Sequence, residues 1–344
     1  MVAPGRSLES GGEILFDLFM SNYATTIATI LEQVRSREQT LPLRNQQCRS
    51  RFFLQPHPTA KVCLFFHGFT AAPYQFAPLG KALFASGYNV LVPLQPGHGI
   101  AGDWNGDNPP PLPTNIRVYQ NFARDWLQIA QNLGEKIIIG GLSTGATLTG
   151  WLALNSPETI DRALLFAPYL SSSLPPLDLL IEILPFYYEW ANKDASGNFG
   201  YHGFPIPRLR LFYDLGQQLL AQAASQVNTP MLIVASDRDR VVSHADEKAL
   251  FKMVVQQQPK SWYHCFDSKF DIHHRMMTEM EGNEYQDLVI ALAKAYINSE
   301  ITWMELQEIK AFLVTKVAFE KAVSSLNLEQ KVAPELAKIL SAID

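Results

Sequence analysis

The sequence predicts an α/β protein, a mostly parallel sheet flanked by helices. From about residue 50, short β-branched or apolar runs alternate with helix-length amphipathic segments, as expected when each strand is followed by a crossover helix. Composition agrees. Hydrophobic residues make up 47% of the 344 and charged residues 18%, enough apolar material for a large core and too little charge for a disordered chain.

Taken in order, the apolar runs predict strands at Arg51–Gln55, Lys61–Phe66, Tyr88–Pro93, Lys136–Gly141, Arg162–Ala167, Met231–Ala235 and Ser261–Phe266. The intervening amphipathic segments predict helices at Tyr74–Ser86, Asn115–Leu133, Thr144–Asn155, Ser243–Gln257 and Asn283–Ile297. Two regions break the alternation. Leu170–Asn228 is far longer than a usual connection and is expected to be an insertion or subdomain. Its aromatics, Phe186, Tyr187, Tyr188, Trp190, Phe199, Tyr201, Phe204 and Phe212, either fill a small core or line a pocket. At the ends, Ile14, Leu15, Leu18 and Phe19, then Ile27, Ile30, Leu31 and Val34, fall at helical spacing, as do Met304, Ile309, Phe312, Leu313, Val317 and Phe319. These terminal helices are expected to pack on the body or on each other, or to form a homo-oligomer or partner surface.

Dividing the length by roughly 150 residues per domain suggests two domains, but the pattern divides the chain differently. The expected arrangement is an N-terminal helical extension over 1–48, one α/β domain over 49–298 with its insertion at about 170–228, and a C-terminal helical extension over 299–344.

Several function classes are disfavoured. With 33 acidic and 28 basic residues, a net charge of −5 and no long run of either sign, the chain lacks the basic stripe that nucleic acid requires. Its longest apolar stretches, such as Val62–Phe66 and Ile137–Ile139, fall far short of the roughly 18 residues of a membrane span. Met1–Gly12 has no positive region followed by an apolar run and cleavage site, so a cytoplasmic location is the default, although a trimmed mature form would look the same. Cys48, Cys63 and Cys265 are odd in number and scattered, which fits reduced thiols, two of them in apolar runs and expected in the core.

The strand Lys136–Gly141 runs into Gly141-Leu142-Ser143-Thr144-Gly145 and then a helix, the context that a nucleophile elbow requires. A serine on such a sharp turn projects its Oγ above the sheet, and Gly141 and Gly145 supply space where backbone crowds. With 20 glycines and 21 serines in the chain, chance would give Gly-x-Ser-x-Gly roughly 0.07 times. The alternative is a glycine-rich turn that binds a phosphate or nothing.

Serine alone is a poor nucleophile and needs a base with a group to orient it. After the strand Met231–Ala235 come Asp237 and Asp239, and after Ser261–Phe266 a loop leads to His273 and His274. The order Ser143, acid, histidine is the one required, with Asp239 and His274 preferred and Asp237 and His273 as alternatives. The two aspartates could instead cap the helix near Ser243 or pair with Arg238 and Arg240. A metal is not expected, because adjacent histidines point apart and no other ligand has metal spacing. An oxyanion hole needs backbone N–H donors. His67-Gly68-Phe69-Thr70 after the strand Lys61–Phe66 offers Phe69, with Gly68 permitting the tight turn, and the elbow offers Thr144.

His67-Gly68-Phe69-Thr70, Pro96-Gly97-His98-Gly99, Gly141-Leu142-Ser143-Thr144-Gly145 and the later Asp and His together resemble the serine α/β-hydrolase superfamily over about Arg51 to Ile297. Within it the chain is most similar to the carboxylesterase and monoacylglycerol lipase-like group. In that family the acid is usually followed three residues on by an apolar residue, which suits Asp239 with Val242; His274 with Thr278 suits its histidine pattern. The resemblance further implies that Leu170–Asn228 is a lid entering after the sixth core strand. It implies hydrolysis of a small lipophilic ester through an acyl-enzyme, with no cofactor. Thioesterase, amidase, peptidase and acyltransferase activities use the same triad and stay open, as does a non-catalytic binding protein of this fold. Dehalogenases and epoxide hydrolases need a carboxylate where Ser143 stands.

Overall fold

The computed structural model describes residues 10–174, 178, 186–191, 198–227 and 229–343, with the backbone alone for 10–21 and 343. The main sheet has seven strands in the order β1-β3-β2-β4-β5-β8-β9. They are β1 Arg51–Phe53, β2 Thr59–Phe66, β3 Asn89–Val92, β4 Gly134–Leu142, β5 Ile160–Phe166, β8 Met231–Ser236 and β9 Trp262–Phe266. All neighbours run parallel except β1, which pairs antiparallel with β3 at the edge. Every predicted strand is present. Interior strands such as β3 and β8 are buried at every position, because helices cover both faces of a parallel sheet.

The crossover helices are α2 Ala77–Ala85, α3 Ile116–Gln131, α4 Thr144–Asn155, α6 His244–Gln257 and α7 Gln286–Asn298. Caps set several boundaries: the Asn115 side chain accepts from the Arg117 amide and the Ser243 side chain from the Asp246 amide, satisfying first-turn donors. The α3 face that carries Tyr119, Phe122, Ala123, Trp126 and Leu127 is buried, which is the 3.6-residue periodicity read from the sequence.

The insertion leaves the sheet after β5, the fifth strand in chain order rather than the sixth, and the chain re-enters the sheet at β8. Its described part contains β6 Tyr187–Glu189 paired antiparallel with β7 Gly203–Pro205, and α5 Ile206–Ala223. Three of its aromatics, Tyr201, Phe204 and Phe212, are buried in the main core, whereas Phe186 and Tyr188 are exposed.

The helical ends pack onto this body. In α1, Ser10–Gln39, Tyr23 and Ile30 join the core, and the Tyr23 hydroxyl accepts a hydrogen bond from Asn89 Nδ2 at 2.6 Å. The side chains of Ile14, Leu15, Leu18 and Phe19 lie outside the described residues. At the other end α8 Trp303–Val314, α9 Phe319–Ser325 and α10 Glu335–Ile343 bury Leu306, Ile309, Val323, Leu336 and Ile339. Met304, read as part of the apolar face, points outward at 66% exposure. Arg162 on β5 reaches Glu300 at 2.7 Å beneath these helices. Cys48 and Cys63 are buried, and Cys265 on edge strand β9 is only partly covered.

Burial sets the protonation of one core histidine against folding at low pH. His264 on β9 stacks edge-on against Phe266 with centroids 4.4 Å apart, and burial, helped by Lys310, pushes its pKa down to about 3. In the unfolded chain a histidine titrates near 6.5. The stability His264 contributes is therefore complete above about 6.5 and drains as pH falls toward its folded value, because only the unfolded chain takes up the proton. Glu247 and Glu281, whose carboxyls burial pushes up, act in the opposite sense, so the readout must isolate His264. Urea unfolding of His264→Phe and wild type at pH 7, 5.5 and 4.5 should shift progressively in the variant's favour; a constant difference would contradict the assignment.

Candidate active site

The carboxyl ends of β2, β4, β8 and β9 converge on one cavity of about 430 Å³, lined by Ser143, His274, Phe69 and Gly68 among others. In parallel α/β sheets ligands bind at this edge.

Ser143 is the hinge between β4 and α4. Its backbone has φ 58° and ψ −120°, a left-handed conformation costly for a residue with a Cβ and held here by its surroundings. The Ser143 amide donates to Phe166 O at 2.9 Å, while its carbonyl accepts from Thr147 and Tyr169. The flanking glycines are required by contact rather than by φ. A Cβ on Gly141 would stand 2.3 Å from the Gly145 carbonyl oxygen, and one on Gly145 would stand 2.2 Å from Phe66 O and 2.5 Å from His67 O. Since those neighbours are backbone in the sheet, Gly145→Ala should lower stability by about 3 kcal/mol or prevent folding, to be read from urea midpoints; a shift under about 0.5 kcal/mol would show that the elbow can relax.

His274 follows β9, and its Nδ1–H donates to Asp239 Oδ2 at 2.7 Å. The Asp239 carboxylate is 1% exposed, and its other oxygen accepts from the Val241 and Val242 amides at 2.7 and 3.3 Å. Burial alone would raise this carboxyl; the His274 ring and the two amides outweigh burial and bring it below its ordinary value. The apolar residue three positions after the acid thus has a local reason, since Val242 is buried and its amide closes on Asp239. Asp239 fixes the imidazole so that Nε2 is the free ring nitrogen. The alternatives make other contacts, although His273 also lines the cavity. Asp237 accepts from the Cys265 thiol at 3.3 Å, and His273 is 61% exposed and faces Asp271 at 3.6 Å. Ser236, at the end of β8, ties the two loops together through its hydroxyl, which donates to Ile272 O.

The loop after β2 forms a turn in which Ala71 N–H donates to Gly68 O at 3.2 Å and Thr70 takes φ 61°. A turn of this kind asks for glycine or asparagine at that place, and a β-branched residue there is strained. The insertion holds it: Trp190 Nε1 donates to Thr70 Oγ1 at 2.9 Å and the Tyr201 amide donates to Thr70 O at 2.7 Å. The Gly68 amide is engaged by Gln75 Oε1 at 2.8 Å, and Gln75 in turn donates to Glu281 at 2.9 Å, as does Tyr74. Phe69 is the next amide along. Thr144 is the first residue of α4, where N–H groups have no partner within the helix and the dipole is positive.

Gln75, Glu281 and Thr70 were missed by sequence reasoning. Gln75 is a polar residue within an apolar helical start and Glu281 a carboxylate seven residues past His274, so a signal was present in each, but nothing local links them. Of the insertion's eight aromatics named above, Trp190 lines the cavity; the rest of its apolar wall comes from residues such as Leu142, Tyr169 and Leu209. His67 and His98 are structural: His67 Nε2 accepts from the Gln95 amide at 3.1 Å, and burial pushes His98 down to about 4. Among the described residues no group of three His, Cys, Asp or Glu side chains is placed to hold a metal ion, and no helix is long and apolar enough to cross a membrane.

This sheet, elbow and cavity have the α/β-hydrolase fold, and the chain is similar in sequence to that family over about half its length. Residues 61–229 match the family described as having the alpha/beta hydrolase fold. Proteins that the chain is similar to include lipases. A thermostable monoacylglycerol lipase from Bacillus sp. (strain H-257) is 24% identical over 216 residues, covering 55% of this chain and 74% of the relative. Among solved structures, a metagenome-derived lipolytic enzyme superposes with a TM-score of 0.58 at 16% identity, over 72% of this chain and 96% of that one. A soluble variant of the monoglyceride lipase from Saccharomyces cerevisiae gives 0.57 at 13% identity, over 71% and 89%. The chain is thus a lipase- or esterase-like α/β hydrolase.

Proposed function

We propose that the protein is a serine hydrolase that cleaves small lipophilic carboxylic esters through an acyl-enzyme. The observation that carries this reading is the 2.7 Å hydrogen bond from His274 Nδ1 to a buried Asp239, with His274 and Ser143 on the wall of one cavity. Ser143 Oγ attacks the ester carbonyl as His274 Nε2 takes its proton; the imidazolium, stabilised by Asp239, then protonates the leaving alkoxide. The Phe69 and Thr144 amides hold the oxyanion, each worth on the order of 3 kcal/mol in the transition state. Water, activated by the same histidine, releases the acid. Leu170–Asn228 acts as the lid, and through Trp190 and Tyr201 it also fixes the loop that carries Phe69.

A fluorophosphonate probe should label the folded wild type stoichiometrically, with the adduct mapping to Ser143. An unlabelled folded protein would instead favour a binding protein of this fold. The apolar wall favours lipophilic acyl groups, so kcat/KM for 4-nitrophenyl esters should rise from acetate to hexanoate. Each added methylene is worth up to about 0.8 kcal/mol, and a strict acetate preference would remove the lipophilic reading.

A further inference from the structure

The cavity that holds Ser143 is apolar along its wall but cationic at its exposed edge. Arg238 and Arg240 on the loop after β8, and Arg275 next to His274, line it, on a chain whose net charge is −5. Local carboxylates do not cancel these cations equally. Asp271 takes up Arg238 at 3.1 Å and also faces His273. Glu281 is the one carboxyl on the described lining; it accepts from Tyr74 and Gln75, and burial pushes it up, which weakens it as a counter-charge for Arg275. Asp239 is committed to His274. Arg240 is exposed, and among the described residues it has no ion pair; its carbonyl alone is engaged, by the Ser173 hydroxyl. A neutral alkyl ester has no use for an unpaired guanidinium on the lining of the cavity that takes it. An anion does, because the guanidinium fork matches carboxylate and phosphate oxygens in pairs and the cleft focuses its field.

We propose that Arg240, with Arg275, forms an anion subsite at the cavity mouth, so that the preferred substrate is an ester bearing a carboxylate or phosphate on the part that projects past Ser143. This rests on the ester-hydrolase reading above and narrows its substrate class. It also unites the two halves of the cavity: the apolar wall takes the hydrocarbon next to the ester, and the rim takes the charge.

Two matched substrate pairs test it and separate the sources of the anion. The first compares the 4-nitrophenyl monoester of glutaric acid with 4-nitrophenyl pentanoate, placing a carboxylate on the acyl side. The second compares 1-butyrylglycerol 3-phosphate with 1-butyrylglycerol, followed by acid release, placing a phosphate on the alcohol side. In at least one pair the anionic-to-neutral ratio of kcat/KM should fall about tenfold in Arg240→Ala, the loss expected for one charge-assisted contact. It should recover partly in Arg240→Lys, and in the wild type it should fall between 20 and 500 mM NaCl as the pair is screened. If the ratio is the same in wild type and Arg240→Ala for both pairs while neutral esters turn over, the anion subsite is refuted and the esterase reading stands. If neither kind of ester is cleaved, both fall together.

Discussion

Ser143→Ala is expected to reduce turnover of 4-nitrophenyl butyrate by about 10⁴- to 10⁶-fold, the loss seen when a hydrolase loses the nucleophile of a triad that acts as a unit, while the melting temperature changes by no more than about 2 °C. The two expectations come from different parts of the residue. The Cβ and the backbone at φ 58° are common to serine and alanine, so the strain of the elbow, the Ser143 amide bond to Phe166 O and the space left by Gly141 and Gly145 are unchanged. What disappears is Oγ, and with it the covalent step. Residual catalysis from oriented water and the oxyanion donors would remain, so a small rate above background is consistent. Turnover within about a hundredfold of wild type would place the nucleophile elsewhere.

The fold was legible because its information is local. Interior strands such as β3 and β8 are runs of apolar residues dense enough to be buried on both faces, and the elbow is a strand, two glycines and a helix in direct succession. The insertion was legible as a break but not as a structure. Its strands β6 and β7 have three residues each, too few for a period-2 pattern to stand out, and its aromatics divide between core, cavity and surface according to what faces them in space. The site shows the same division. Asp239 and Asp237 are two residues apart in one turn; Val242, three positions on, favours Asp239 locally, and burial at 1% exposure and a 2.7 Å bond to His274 distinguish it in space. Gln75 and Glu281 are 206 positions apart, and their contact exists only because the β2 loop and the segment after His274 meet at one sheet edge. Thr70 runs against local rules, a β-branched residue at φ 61°, and becomes intelligible once Trp190 and Tyr201 are seen to hold it. Local rules that fail in this way tend to mark functional positions.

The histidine and its acid supply the second large effect, and the two can be told apart by pH. His274→Ala should cost about 10⁴-fold or more in kcat/KM for a neutral ester, whereas His273→Ala should stay within about threefold, because its side chain is 61% exposed and faces Asp271. Two active variants would remove the base from this loop. Asp239→Asn should cost about 10³- to 10⁴-fold, since an amide in place of the carboxylate no longer enforces Nδ1–H and can present a donor to that nitrogen, turning the proton onto Nε2 where the base must be free. The same substitution has a signature in stability. Although burial works against it, the Asp239 carboxyl sits below its ordinary value, held there by His274 and the Val241 and Val242 amides. A group whose folded pKa is depressed contributes stability that is complete above its unfolded value, about 3.9, and is lost as pH falls through the folded value. Asp239→Asn should therefore be less stable than wild type at pH 7, and the gap should narrow as pH is lowered through and below about 4. Thermal unfolding of both proteins at pH 7, 5 and 3.5 measures it: a gap that stays constant down to pH 3.5 would mean that Asp239 does not hold its charge against His274, and the tautomer argument would go with it.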